Sequence, residues 1–442
     1  MPHLQGSGSD CVRTEDQFDR SLNRGPLTRR RFLRQAGLTM FAAASAGTLA
    51  SCGSGTGRNG PPKVLVRALW QQVNVGDVAQ APGLLSLLAK HIPNAEVTLW
   101  PATWNDELSA MITPAFPDVS VVATERDVVG AFRSNDCLIH GSGPGLVGRR
   151  QLGEWVQDSD KPYSVYGITL ASPSALEIDL LNGAASAFFR DSESLAVAES
   201  VLADDAQVGF APDAAFAFNL RNDSAAERFL AQNGLADGRF MCVIPRLRYT
   251  PYWDISGQPY NRDQDERNQA MKGPDHVLLR EAIVEIVRQT SLRVLICPED
   301  VSQTKIGREL LFDPLPDDVK GNVVIREQFW LPNEALSVYV RSAGLFGNEM
   351  HSPVICIGNG VPAIVCRSAE QTTKGMMWND IGLGEWLFDL DDPNSMRGLV
   401  PAVLKIAHDP AWARQKAGAA RELVQQKQQT SIAEMAQSLS IN

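Results

Sequence analysis

Residues 137–145 read Cys-Leu-Ile-His-Gly-Ser-Gly-Pro-Gly, a short β-prone run followed by three glycines among five residues. The first four residues predict a buried strand, and the glycines predict a tight loop at its carboxyl end. The same order of β-rich run, loop and helix-compatible segment recurs along the chain from Lys63 onward. This alternation predicts an α/β protein with parallel sheets that are covered by helices on both faces.

The predicted strands fall into two series with a pause at residues 219–238. They occupy residues 63–69, 95–100, 119–123, 137–140, 164–168, 187–190 and 207–210, then 240–245, 293–297, 323–326, 344–346, 362–366 and 387–389. We therefore expect two Rossmann-like domains, at residues 63–235 and 236–394, that face a cleft, followed by C-terminal helices over residues 395–442. Ligands of such open sheets bind beyond the carboxyl ends of the strands.

Composition excludes several classes of protein. The 442 residues are 44% hydrophobic and 21% charged, which is typical of a soluble globular chain and not of a disordered or multispanning one. The net charge is −10, and Lys and Arg do not cluster outside the N-terminus. A nucleic-acid partner is not expected, because binding to phosphates requires clustered cations.

Residues 1–51 resemble an export signal. The sequence Thr-Arg-Arg-Arg-Phe-Leu-Arg at 28–34 precedes an apolar stretch at 36–50, which is too short for a permanent membrane span. Paired arginines before Phe-Leu resemble the twin-arginine type. Leu-Ala-Ser-Cys at 49–52 resembles a lipoprotein processing box, with Cys52 bearing the lipid. An amphipathic or disordered arm is the alternative.

These features predict where the protein is located. The expected partners are the twin-arginine export machinery and, through a lipid anchor on Cys52, the membrane. Residues 52–62 are rich in Gly, Ser and Pro and predict a flexible tether. We therefore expect an exported, membrane-anchored lipoprotein that faces the periplasm or the cell exterior. The cysteines that follow predict small buried core residues without metal-ligand spacing, at positions 137, 242, 297, 356 and 366.

Polar residues follow several predicted strands. Asn-Val-Gly-Asp at 74–77 follows the first strand, where Asp77 either caps a helix or faces a polar ligand. The glycines at 141–145 either leave N–H groups for an anion or hydroxyl, or only form a sharp turn. Arg190 and Asp213 each follow a strand and are either parts of structural ion pairs or contacts to a ligand.

The strongest local feature is Gly-Asn-Glu-Met-His-Ser-Pro-Val at 347–354. Ser352 suits a helix N-cap and Pro353 the first turn, which places His351 at a helix N-terminus. There, free N–H groups and the helix dipole favour an anion, and a histidine can donate to phosphate or act as a general acid. The alternative is a histidine packed in a domain interface.

Taken in order, these motifs resemble the polysaccharide pyruvyl transferase family. The motifs are Asn-x-Gly-Asp at 74–77, the glycine-rich loop at 141–145, Arg-Asp-x-x-Ser at 190–194, Pro-Asp at 212–213, His-Ser at 351–352 and Gly-x-Pro at 360–362. The resemblance spans roughly residues 63–390 and implies a GT-B-like transferase. Such enzymes move the pyruvyl group of phosphoenolpyruvate onto two hydroxyls of a sugar in a cell-envelope glycan, as a ketal. A saccharide acceptor is implied, and no metal or cofactor.

The chemistry of the implied reaction suggests a role for each site residue. His351 would protonate the enol carbon of the donor, and Asp77 or Asp213 would orient or deprotonate the sugar hydroxyl. The donor is a compact anion and would be bound by Arg190, Ser352, Arg246, Lys374, Gly141 and Gly143.

One position departs from the family pattern. Where the family has Arg before Leu-His, this chain has Glu349 before Met-His. Two unit charges about 6 Å apart interact by roughly 3 kcal/mol at an effective dielectric constant near 20. Replacing Arg by Glu changes an attraction for the anionic donor into a repulsion of that size. Glu349 is therefore expected to set donor specificity, and its carboxylate would suit a sugar hydroxyl or a cation.

Glu349 and the export signal leave two alternatives open, because phosphoenolpyruvate is a cytoplasmic metabolite. One is a transferase of related fold with another donor. The other is a non-catalytic glycan-binding lipoprotein that uses Trp253, Trp330 and Trp378 to contact sugars.

Overall fold

The computed structural model describes residues 60–441 of the chain. The first series of strands forms a seven-stranded parallel sheet in the order β3-β2-β1-β4-β5-β6-β7. Its strands are Lys63–Ala68 (β1), Glu96–Pro101 (β2), Ser120–Val121 (β3), Cys137–His140 (β4), Tyr163–Ile168 (β5), Ser186–Phe189 (β6) and Val208–Phe210 (β7). The outward order on both sides of β1 and β4 is that of a doubly wound fold.

The second series forms a six-stranded parallel sheet in the order β10-β9-β8-β11-β12-β13. Its strands are Phe240–Ile244 (β8), Arg293–Ile296 (β9), Val323–Ile325 (β10), Gly344–Gly347 (β11), Ala363–Arg367 (β12) and Leu387–Asp389 (β13). Every predicted strand is present with ends within two residues of the prediction. The predicted fold of two Rossmann-like halves is therefore confirmed.

Helices connect the strands and cover both faces of each sheet. In the first half they are Val75–His91 (α1), Asp106–Ile112 (α2), Glu125–Ser134 (α3), Arg149–Ser159 (α4), Ala175–Gly183 (α5) and Ser192–Val201 (α6). From residue 223 they are Asp223–Gln232 (α7), Tyr252–Ile255 (α8), Arg262–Met271 (α9), Val277–Gln289 (α10), Gln303–Ile306 (α11), Asp317–Lys320 (α12), Pro332–Tyr339 (α13), His351–Gly358 (α14), Met377–Asp380 (α15), Pro393–Met396 (α16), Leu399–His408 (α17) and Pro410–Leu439 (α18). Short 3-10 turns lie at Ala214–Ala217, Pro274–His276, Ala369–Gln371, Lys374–Met376 and Gly384–Trp386, and a π-helical turn lies at Gly307–Phe312.

Alternate residues of β1 enter two different apolar cores. Val64 and Val66 pack with α1 and the end of α18, whereas Leu65 packs with α3 and α4 on the opposite face. This follows from the two-residue period of a strand, which sends successive side chains to opposite faces. Arg67 has the same parity as Leu65 and is therefore directed toward the face covered by α3 and α4.

Two segments cross between the halves. Helix α7 packs into the core of the second half through Ala226 and Leu230, so the chain enters that half before residue 235. Helix α18 is 30 residues long, or about 45 Å at 1.5 Å per residue. Its Ala417 lies in the core of the second half and its Met435 in the core of the first. One helix thus joins the two cores.

Glycines allow close backbone packing at the boundary between the two halves. The 3-10 turn Ala214–Ala217 lies between α1 and α14. A Cβ atom on Gly83 would lie 2.0 Å from the Ala214 carbonyl oxygen, and one on Gly358 would lie 2.0 Å from that of Phe216. Backbone bonds join the halves nearby, because the Val75 amide donates to the Glu299 carbonyl at 2.8 Å. The loops at the carboxyl ends of both sheets are therefore held against each other.

Within residues 60–441, no helix combines the length and apolar character that crossing a membrane would need. The predicted export signal, Cys52 and most of the tether lie outside the described residues, so they stay predictions. The five cysteines predicted as core residues are all buried.

Candidate active site

The first turns of α1 and α14 meet at the cleft between the halves. The Asn74 side chain caps α1 by accepting a hydrogen bond from the Gly76 amide at 2.7 Å. A Cβ atom on Gly76 would lie 2.0 Å from Cγ of His351. Glycine is required here because the imidazole ring packs directly on the backbone. This contact brings together the Asn-x-Gly-Asp and His-Ser motifs, which are far apart in sequence.

His351 is buried, with 5% of its surface exposed. Neither ring nitrogen has a hydrogen-bond partner among residues 60–441, although Nδ1 lies 3.5 Å from Glu299 Oε1. Burial lowers the pKa of His351 to about 4, and Lys374 lowers it further while Asp213 and Asp77 oppose the shift. The ring is therefore neutral at neutral pH. An unsatisfied buried polar group costs about 1–3 kcal/mol, so both ring nitrogens favour a hydrogen-bond partner that residues 60–441 do not supply.

The N-terminus of α14 is occupied by a side chain of the protein. The Glu299 carboxylate accepts hydrogen bonds from the amides of His351 at 3.3 Å and Ser352 at 2.5 Å. The prediction that Ser352 is the N-cap is wrong, because the helix begins at His351 and Met350 is the capping residue. The Ser352 hydroxyl instead lies 3.2 Å from the Tyr339 hydroxyl. The sequence predicts a bound ligand anion at this helix end, whereas the structure places the protein's own Glu299 carboxylate there.

Glu349 forms an ion pair with Arg246. Nη1 of Arg246 donates to Glu349 Oε2 at 2.7 Å, and Nε2 of Gln303 donates to Oε1 at 2.6 Å. Glu349 is fully buried, whereas 13% of the Arg246 side chain is exposed. Burial raises the pKa of Glu349, although Arg246 and Lys374 oppose this shift. The acid that departs from the family pattern is therefore compensated by a predicted donor-binding cation.

Lys374 supplies a second cation to the cleft. Within the described part of the chain its ammonium makes no hydrogen bond and no ion pair. Burial lowers the pKa of Lys374 to about 8, with Arg246 and Arg190 adding to the shift. The loop is tied to the first half because the hydroxyls of Thr373 and Ser194 lie 3.1 Å apart. Lys374 is thus a cation on an anchored loop, and it forms no direct ion pair with the described residues.

The Gln71 side chain links Asp77 in the first half to Tyr252 in the second half. Nε2 of Gln71 donates to Asp77 Oδ2 and also to the Tyr252 hydroxyl, at 3.1 Å for the latter. Burial raises the pKa of Asp77, and His351 and the Gln71 hydrogen bond oppose the shift. Burial and the nearby Asp77 raise the pKa of Tyr252. The cleft therefore presents a carboxylate from the first half close to the His351 ring.

Sequence reasoning missed Glu299 and Asp300. Burial and the charge of Glu349 raise the pKa of Asp300 to about 6, and its carboxylate accepts hydrogen bonds from Ser302 and Gln303. The sequence contains a pattern that predicts them, because Pro-Glu-Asp at 298–300 follows the end of β9 by one residue. Acids at the carboxyl end of a parallel strand are directed to the ligand edge of the sheet.

Arg190 and Asp213 pair with each other. Nη1 of Arg190 donates to Asp213 Oδ2 at 2.6 Å, and its Nε donates to Thr169 Oγ1 at 2.7 Å. Asp213 also accepts from Gln80 and from the Ala215 amide. Arg190 is 1% exposed and Asp213 is fully buried. The structure thus realises the ion-pair alternative for both residues. The charge of Asp213 raises the pKa of His351 and that of Arg190 lowers it.

The glycine-rich loop holds the turn that carries Asp213. Between Gly141 and Gly143, the Ser142 hydroxyl accepts from the Ala214 amide at 3.0 Å, and the Ser142 carbonyl accepts from Trp70 Nε1 at 2.7 Å. A Cβ atom on Gly143 would lie 3.1 Å from that indole nitrogen. These contacts favour the interpretation of the loop as a sharp turn in the framework.

Two of the three tryptophans proposed as sugar contacts lie in the core, so that prediction is wrong for them. Trp330 is 2% exposed and Trp378 is fully buried, and each indole donates to a backbone carbonyl. Trp253 is half-buried and packs edge-on against Tyr260 at 5.4 Å between ring centroids. Among residues 60–441, no three His, Cys, Asp or Glu side chains are grouped so that they could hold a metal ion.

Two parallel-sheet halves, with a cleft at their strand ends and a shared C-terminal helix, define a GT-B-like fold. Solved structures support this class. S. aureus MnaA with UDP aligns with a TM-score of 0.53 and 11% identity over 86% of this chain and 98% of its own. Anabaena HepE in complex with UDP and glucose aligns with a TM-score of 0.52 and 11% identity over 85% and 100%. Such identities show a shared fold alone.

Within that class, the sequence profile of the polysaccharide pyruvyl transferases matches residues 74–369. The match covers more than half of the chain, and the chain therefore belongs to the polysaccharide pyruvyl transferase family. Among curated proteins, none matches this sequence.

Proposed function

We propose that the protein transfers the pyruvyl group of phosphoenolpyruvate to two hydroxyls of a sugar in a cell-envelope glycan. We further propose that it is exported and held at the membrane through Cys52, as residues 28–52 predict. The observation that carries the proposed activity is a pair of unpartnered groups in one cleft. The ring nitrogens of His351 lack hydrogen bonds, and the Lys374 ammonium lacks an ion pair, within residues 60–441.

The proposed reaction needs one proton donor and two deprotonated hydroxyls. A proton is added to the methylene carbon of phosphoenolpyruvate, the two hydroxyl oxygens bond to its central carbon, and inorganic phosphate leaves. The hydroxyls release two protons, of which one balances the proton added to carbon and the other leaves with phosphate. The donor carries several negative charges, so its binding needs cations and its conversion needs an acid.

The cleft offers groups for these roles. Lys374 and the exposed part of Arg246 would bind the donor anion. Its charge beside His351 would raise the pKa of the ring above the value of about 4 in the free protein, which would favour the protonated form needed for transfer to carbon. Asp77, whose pKa is raised by burial, would accept a hydroxyl proton. Ser352 and the 141–145 loop would act by positioning α14 and the Asp213 turn.

The proposal is tested by separating donor binding from transfer. Phosphoenolpyruvate should raise the melting temperature of the full chain. At one hundred times the dissociation constant, the donor adds about 2.7 kcal/mol to the free energy of unfolding. Lys374→Met should abolish this shift. His351→Ala should keep it but lose at least about a hundredfold in release of inorganic phosphate with a panel of saccharide acceptors. Lys320→Met is the matched control, since Lys320 pairs with Asp317 on the surface.

A second candidate is a transferase of the same fold with another donor. The observation that favours it is the pair of buried carboxylates, Glu349 and Glu299, at the place where the donor anion was expected. UDP-glucose is a suitable probe, because the structural neighbours in S. aureus and Anabaena hold UDP. A thermal shift with UDP-glucose and none with phosphoenolpyruvate would overturn the first candidate in favour of the second. Unchanged phosphate release in both Lys374→Met and His351→Ala would contradict the assigned site.

A further inference from the structure

A cavity of about 730 Å³ lies in the first half, outside the interdomain cleft. It opens between α3 and α4 over the carboxyl ends of β1 and β2. Its volume lies within the range of about 300–1,000 Å³ that small-molecule sites occupy. None of its lining residues belongs to the candidate active site, so the proposed activity leaves this cavity unexplained.

Arg67 lines the cavity as a buried cation that forms no ion pair with residues 60–441. Only 7% of its surface is exposed, and no carboxylate in the described chain lies within ion-pair distance of it. Its Nη1 donates to the Trp100 carbonyl at 3.1 Å, whereas its Nε has no hydrogen-bond partner in the described part of the chain. The guanidinium lies 4.7 Å from the Trp100 ring centroid and 5.5 Å from that of Trp70. Two aromatic rings offset only part of the cost of burying this charge.

The electrostatics of Arg67 agree with this geometry. Burial lowers the pKa of Arg67 to about 10, while Glu154 opposes the shift and Arg150 adds to it. Removing a charge from water is unfavourable unless the charge is paired, so the cavity favours an anion beside the guanidinium. The planar fork of arginine matches a carboxylate, which can accept two parallel hydrogen bonds.

Polar side chains on α4 line the wall around this cation. Arg150, Glu154 and Asp158 are spaced by four residues and therefore share one face of the helix, and Gln151 lines the cavity beside them. Arg150 and Glu154 are exposed and 3.7 Å apart, so their contact is weak and can open. Carboxylate, amide and guanidinium groups of this kind accept from and donate to sugar hydroxyls.

We propose that this cavity binds an anionic saccharide unit, with its carboxylate on Arg67 and its hydroxyls on the polar wall of α4. The requirement for an anion follows from Arg67 and does not depend on the reaction in the cleft. The choice of a saccharide rests on the proposed function. The first half would then hold an acidic part of the glycan apart from the reacting sugar, which provides a second point of attachment.

The test is a calorimetric titration of the full chain with D-glucuronate at low ionic strength. Glucose lacks the charge and acetate lacks the hydroxyls, so both should bind at least about tenfold more weakly than glucuronate. Val129→Trp places a bulky ring at the cavity mouth, where Val129 is 56% exposed, and should reduce glucuronate affinity at least about tenfold. Val201→Trp is the matched control, because Val201 is 39% exposed and does not line the cavity.

Arg67→Met should abolish glucuronate binding while Arg67→Lys keeps part of it. If Arg67→Met does not fold, Val129→Trp decides the result without altering a buried residue. The absence of saturable glucuronate binding, or equal affinity in Val129→Trp and Val201→Trp, would overturn the proposal. Equal affinity for acetate and glucuronate would mean that the cavity binds the carboxylate without contacts to the sugar hydroxyls, and would overturn the assignment to saccharides. Glucuronate binding should persist in His351→Ala, so failure of the transferase proposal and failure of this one are distinguishable.

Discussion

Two arginine–carboxylate pairs, one in each half, have nearly the same geometry and different surroundings. Arg190 and Asp213 lie 2.6 Å apart, and Arg246 and Glu349 lie 2.7 Å apart. In both pairs the carboxylate is fully buried. Both arginines follow a strand end, so the same local rule of the fold places each pair.

The difference lies in what else the charges contact. Asp213 also accepts from Gln80 and a backbone amide, and Arg190 also donates to Thr169, so the first pair is a closed network. Arg246 is partly exposed, and its partner Glu349 has a raised pKa. Buried charges whose hydrogen bonds are all made within the protein stabilise the fold. A charge that is partly exposed to solvent can exchange its partner for a ligand. We therefore expect the first pair to control stability and the second to control donor affinity.

The largest expected effect is on stability, in Asp213→Ala. The substitution leaves Arg190 buried without its partner, and breaking a buried pair in this way costs about 3–5 kcal/mol. The free energy of unfolding from urea titrations should fall by that amount. The control is Asp223→Ala, because Asp223 pairs with Arg341 at the surface with 47% of its side chain exposed. That loss should stay below about 1 kcal/mol, and equal losses in the two variants would remove the framework role.

A slightly smaller effect should appear in the pH dependence of stability around Asp300. Its pKa is raised to about 6 in the folded protein, against about 3.9 in an unfolded chain. The folded state therefore binds the proton more tightly, and the carboxylate destabilises the fold above pH 6. As the pH falls from 7 to 4, the wild type should gain up to about 3 kcal/mol in free energy of unfolding relative to Asp300→Asn. If the free energy of unfolding depends on pH in the same way in the two proteins, the cleft does not raise the pKa of Asp300.

The sequence was sufficient to predict the fold because its signal is local. A short apolar run such as 240–245 predicts a strand wherever it lies, and helix-compatible segments between such runs require parallel pairing. The crossing of α7 into the second half was not predictable in the same way, since Ala226 and Leu230 suit the core of either half. Only packing decides which core a short amphipathic helix enters.

The site was predictable as a set of motifs but not as a set of contacts. The Asn-x-Gly-Asp and His-Ser motifs do meet, and Gly76 is explained by the ring of His351. The occupation of the α14 N-terminus by Glu299 depends on a contact between residues 52 positions apart or more, which no local pattern encodes. The pairing of Glu349 with Arg246 spans 103 positions and has the same cause. Charge compensation is a property of the folded cleft.

The smallest expected effect, on donor affinity in Glu349→Gln, is the sharpest test of the comparison. Glutamine keeps an oxygen that can accept from Arg246 but removes the negative charge. Arg246 then becomes available to the donor, and a repulsion of up to roughly 3 kcal/mol at about 6 Å is removed, which screening reduces. Phosphoenolpyruvate should bind about tenfold more tightly in a calorimetric or thermal-shift titration, a gain of about 1.4 kcal/mol.

Glu334→Gln provides the matched control for that titration. Glu334 pairs with Arg326 at 2.9 Å, and that arginine has the same 13% exposure as Arg246, but the pair lies outside the residues of the cleft. Donor affinity should be unchanged in this variant. An unchanged affinity in Glu349→Gln as well would mean that Arg246 remains fixed when its partner loses its charge. The pair in the second half would then belong to the framework, as Arg190 and Asp213 do, and Lys374 would be left as the cation that meets the donor.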